Sequence, residues 1–91
     1  MNEKEMQRQL IVYSIALPGD ISATRHQRVV DGVLRTDFVG TVYGCMVGTS
    51  SYGRYFDTFN KAHVNAGLFV KECEQIVKNH NLTFGEVIGN T

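Results

Sequence analysis

Tryptophan is absent from this 91-residue chain, proline occurs once, at Pro18, and cysteine twice, at Cys45 and Cys73. A single proline and the lack of any low-complexity tract or repeat exclude a collagen-like chain, a proline-rich linker and a solenoid. Two cysteines, neither in a CxxC pair, exclude a disulfide framework and a zinc ribbon. Both stand among apolar neighbours, so both are expected as buried thiols of a reducing, cytoplasmic compartment.

An excess of charge of either sign is also missing. Nine basic residues balance nine acidic ones, giving a formal net charge of zero, and no net field draws the chain to nucleic acid or to an anionic membrane. The apolar run from residue 10 to 17 is interrupted by Ser14 and stopped by Pro18-Gly19. It is too short to cross a bilayer and lacks the flanks of a secretory leader, so no membrane association is expected.

What remains is an ordinary globular composition, 43% hydrophobic and 20% charged, expected to fold as one domain over residues 1–91 with no cofactor. The fold expected is α+β. A small antiparallel sheet of three or four strands between residues 10 and 48 packs on one long helix over 57–79, with a short C-terminal helix over 84–89. Leu10 to Leu17 is rich in β-branched and aromatic residues and reads as a strand. A helix aligning Met6, Leu10, Tyr13 and Leu17 is the competing reading. Asp31-Gly32 between apolar pairs is a hairpin signal, although Val29, Val30, Val33 and Leu34 also fit a helical period.

Residues 38–48 read as one strand. Gly40, Gly44 and Gly48 then lie on one nearly bare face, against which the long helix, through Phe59 or Phe69, is expected to pack. The long helix rests on a stripe of Phe59, Ala62, Ala66, Phe69, Val70, Cys73, Ile76 and Val77. Thr83 and Glu86 form a capping box for the last helix, with Leu82 and Val87 as its staple.

Chemistry-bearing constellations are few. The loop Gly48-Thr-Ser-Ser-Tyr-Gly-Arg54 combines small residues, hydroxyls and an arginine, the groups that hold an anion. A groove floored by Gly44 and Gly48 and rimmed by Ser50, Ser51, Tyr52 and Arg54 is therefore the place for a small anionic ligand such as a nucleotide. The loop lacks the GxxxxGK[ST] and GxGxxG spacings of known phosphate loops.

Arg25, Arg28, Arg35 and Arg54 with Tyr52 and Tyr55 are the residues a nucleic-acid surface would use; neutral charge and the lack of a recognition helix argue against one. His63 and Cys73 are ten positions apart on the long helix, about 15 Å, too far to share a metal ion. They serve an enzyme reading only in a pocket shared between subunits. His26 and His80 have no partner at ligand spacing. Asp31 and Asp37 read as turn residues, and Glu72 and Glu74 as solvated helix positions.

Val64 and Leu68 project from the back of the long helix, opposite its core stripe, and mark an interface. The functional expectation is a small non-enzymatic binding or regulatory protein, an inhibitor or adaptor, acting through a protein or self-association surface. The anionic-ligand binder and the small oligomeric enzyme are the alternatives.

Overall fold

The computed structural model describes residues 2–82, and the C-terminal helix expected over 84–89 lies outside them. Among the described residues the chain is α+β, with two helices and an antiparallel four-stranded sheet. Helix α1 spans Glu3–Ser14, a 3-10 turn follows at Pro18–Asp20, and strands β1 (Ile21–Val30) and β2 (Val33–Val42) form a long hairpin. Two short strands, β3 (Cys45–Met46) and β4 (Tyr55–Phe56), add to β2 before helix α2, Phe59–Asn79.

The first correction falls on residues 10–17, which begin as helix rather than strand. Asn2 caps α1, its side chain accepting the Glu5 N–H at 2.9 Å, and Glu3 and Glu5 place negative charge in the first turn. The β-branched residues Ile11 and Val12 tolerate the helix because α1 packs lengthwise on α2. Ile11 and Tyr13 are buried, and the Tyr13 ring meets Phe69 edge-on at 5.2 Å. The sheet therefore begins at Ile21, and the long helix is one of two.

The hairpin reading of Asp31-Gly32 is borne out. These residues take φ of +53° and +78°, the pair of left-handed conformations a two-residue turn demands. A second turn of the same kind, at Tyr43-Gly44 with φ of +53° and +77°, splits the stretch read as one strand over 38–48 into the end of β2 and β3. Tyrosine is strained there. The Tyr43 N–H donates to the Asp20 carbonyl at 3.0 Å, which helps to hold the turn.

Gly44 thus serves a turn and does not share a face with Gly40. Gly40 does what a bare strand position allows: α2 crosses directly over it, and a Cβ there would lie 2.5 Å from the Ala62 carbonyl oxygen and 2.8 Å from the Ala66 Cβ. Ala62 and Ala66, not Phe59 or Phe69, fill that space. Around this crossing lies a core of Tyr13, Val42, Val47, Ala66, Val70 and Cys73. Phe59 and Ile76, expected in the core stripe, are exposed, whereas the polar Asn65 is 2% exposed.

Three single-residue expectations are also revised. Cys45 is exposed, because β3 is a two-residue edge strand with little above it; Cys73 is buried as expected. Asp37 is no turn residue. It lies buried on β2, and its carboxylate accepts the Arg28 Nε–H at 2.7 Å, while the Arg28 guanidinium stacks 3.8 Å above the Tyr55 ring. Glu72 is half-buried and bonded to the loop before β4.

Candidate functional site

The loop that the sequence singles out is a closed structure clasped to α2. Thr49 and Gly53 exchange backbone hydrogen bonds at 3.0 and 3.1 Å, and Gly53 takes φ of +72°. The Thr49 hydroxyl accepts the Tyr52 N–H and donates to Asn65 Oδ1 at 2.9 Å, while Asn65 Nδ2 donates to the Gly53 carbonyl at 3.0 Å. One buried amide on α2 therefore satisfies both ends of the turn, which is why a polar residue sits inside an otherwise apolar stripe.

The expected groove is not assembled as drawn. Gly44 sits in the β2–β3 turn, apart from the loop. Gly48 lies under it, where a Cβ would stand 2.6 Å from the Gly53 carbonyl and 2.8 Å from the Arg54 Cβ. The Ser50 hydroxyl and N–H both donate to the Glu72 carboxylate, at 2.9 and 3.4 Å. A carboxylate of the chain itself thus occupies the Ser50 donors, and its charge opposes a phosphate. Ser51, Tyr52 and Arg54 are exposed.

What the clasp does present is Tyr52. Tyr52 and Leu68, on the outer side of α2, line both of two grooves and so form the ridge between them. The first groove, about 310 Å³, is lined by Phe56, Asn60, Lys61, Val64 and Asn65 together with the ridge. The second, about 330 Å³, is lined by Thr49, Ser51, Lys71, Glu72 and Gln75 together with the ridge. Tyr52 is 67% exposed and Val64 61%, large values for apolar side chains gathered on one face.

The structure therefore brings Val64 and Leu68, singled out as an interface, together with Tyr52, singled out for a ligand. It adds Phe56, which the sequence reading passed over. Rim charge is balanced: Lys61 pairs with Asp57 at 3.0 Å, a hydrogen bond that holds the Asp57 carboxyl below its usual range.

The groups an enzyme reading would use are not brought together. His63 is exposed and stacks on Phe59, with ring centroids 6.2 Å apart. Cys73 is 1% exposed, and burial, with a smaller contribution from the Glu72 charge, pushes its thiol up to about 11. Such a thiol is a poor nucleophile at neutral pH. Because the folded chain holds this proton more tightly than the unfolded chain does, stability is expected to fall as pH rises from about 9 to about 11. Chemical denaturation across that range tests it: the Cys73→Ala variant should lose part of the decline. At neutral pH a maleimide should label Cys45 and spare Cys73 until the protein unfolds.

Among the described residues no three His, Cys, Asp or Glu side chains cluster to hold a metal ion, and no helix is long and apolar enough to cross a membrane. No protein-family model matches the chain, and neither a curated protein nor a solved structure bears significant similarity to it, so its own geometry has to carry any functional assignment.

Proposed function

We propose that this chain is a small non-enzymatic binding protein, of the inhibitor or adaptor kind, that self-associates through the outer face of α2. The observation that carries the reading is the Tyr52–Leu68 ridge lying between two grooves. A two-fold contact places the same patch on both subunits, so the patch has to complement itself. A ridge beside a groove of similar chemistry does so: the ridge of one copy enters the apolar groove of the other, between Phe56 and Val64.

Electrostatics do not oppose the pairing, since Lys61 is paired with Asp57 and the second groove carries one charge of each sign, Lys71 and Glu72. Burying Tyr52, Val64 and Leu68 on both sides removes several large apolar side chains from water, each contributing about 1.5–3 kcal/mol when fully buried. The ring of Tyr52 loses little freedom on docking, because the clasp beneath it already fixes the loop.

Sedimentation velocity tests the proposal. The wild-type chain should move as a dimer at micromolar concentration, and Leu68→Arg and Val64→Glu should move as monomers with unchanged circular dichroism, because both positions point away from the core. A wild-type chain that stays monomeric to millimolar concentration would refute the proposal.

A further inference from the structure

The sheet is unequally finished. Strand β2 is paired on both sides, whereas among the described residues β1 has β2 on one side and no strand on the other. Its register to β2 runs through ten consecutive pairs, Ile21↔Val42 to Val30↔Val33, with no bulge. The two-residue turn makes Val30 and Val33 a hydrogen-bonded pair, and such pairs alternate along the ladder. The Tyr43 N–H bonded to the Asp20 carbonyl at the other end keeps the same parity. Even-numbered residues of β1 therefore spend their backbone groups on β2, and Ala23, Arg25, Gln27 and Val29 turn theirs outward.

An edge of this kind accepts another strand unless it is short, bulged, charged or interrupted by proline; β1, ISATRHQRVV, is long, unbulged and free of proline, so charge alone limits which strand it accepts. Its formal charge is one-sided: Arg25 and Arg28, with no carboxylate. The acids flanking it in the chain, Asp20 and Asp31, lie beyond its two ends. Arg28 is paired with Asp37, but Arg25 is exposed and has no ion-pair partner among the described residues. A second copy of β1 is a poor occupant, because antiparallel pairing centred on the strand sets the two Arg25 side chains opposite or diagonal to each other, and like charges across a ladder repel.

We propose that the outer edge of β1 binds an acidic segment of a partner protein, added in extended conformation as a fifth strand. Backbone bonds to Ala23, Arg25, Gln27 and Val29 supply the affinity. A carboxylate on the added strand meets the exposed Arg25, which selects the sequence, while Arg28 and His26 reach the other way, across β2 to Tyr55. This surface is separate from the α2 ridge, so Leu68→Arg should leave it intact.

Fluorescence anisotropy with a short extended peptide of Glu, Val and Thr, its acids on the face that meets Arg25, tests it. The dissociation constant should be about 10–100 µM, and about tenfold weaker for the same peptide with Lys replacing Glu. Arg25→Glu should weaken binding about tenfold. Gln27→Pro removes an outward N–H without touching a β1–β2 bond and should abolish it. Amide spectra of the wild-type protein check the site without any variant: shifts should concentrate at residues 21–30. Equal binding of acidic and basic peptides, shifts mapping to α2, or displacement of the peptide by duplex DNA would each overturn the proposal.

Discussion

Gly40→Leu is expected to abolish folding, and Gly40→Ala to cost about 3 kcal/mol. The obstacle is steric and local. The smallest addition, a Cβ, would stand 2.5 Å from the Ala62 carbonyl oxygen, and what blocks it is helix backbone rather than a movable side chain. Helix α2 would have to lift from β2 along its first half, and Ala66, Val70 and Cys73 would lose the contacts that make the core. Urea denaturation measures the alanine variant. A midpoint equal to that of the wild type would mean that α2 does not cross β2 at Gly40.

Asn65→Ala is the second large effect, about 2–3 kcal/mol. Asn65 is 2% exposed, and its amide both accepts from the Thr49 hydroxyl and donates to the Gly53 carbonyl. Alanine leaves the buried Thr49 hydroxyl without its acceptor, takes one of two donors from the Gly53 carbonyl, and opens a small cavity. The loss should have a second readout. With the clasp gone, amide exchange should quicken at Tyr52 and Gly53, and the loop should no longer fix the Tyr52 ring against Leu68, so self-association should weaken as well. Unchanged stability with unchanged exchange would show that the loop holds itself.

How much of this was legible follows from the kind of signal each element carries. Asp31-Gly32 tipped an ambiguous stretch toward a hairpin, against a competing helical period, because few residues tolerate two successive left-handed conformations. Tyr43-Gly44 adopts the same turn without an Asn or Asp at its first position, so the stretch containing it read as continuous strand. The apolar run of α1 is too short for its period to separate helix from strand. The deciding mark was Asn2 with Glu5 three residues on, a cap pattern that lies before the run. On α2, Val64 and Leu68 were legible as outward-facing from helical spacing alone. Asn65 was not, because a buried amide declares itself only once the loop it satisfies is folded against it. The expected anion site failed to assemble for a related reason: spacing along the chain placed Ser50 near Gly48 but gave no hint that Glu72, 22 positions later, would take its donors.

The most direct test of self-association through α2 is an isotope-filtered nuclear Overhauser measurement on a mixture of labelled and unlabelled protein, which records contacts between copies alone. The ridge-and-groove account predicts cross-peaks from the Tyr52 ring of one copy to the Val64 and Leu68 methyl groups of the other. A dimer without those cross-peaks, or with its contacts on the β1 edge instead, would contradict it.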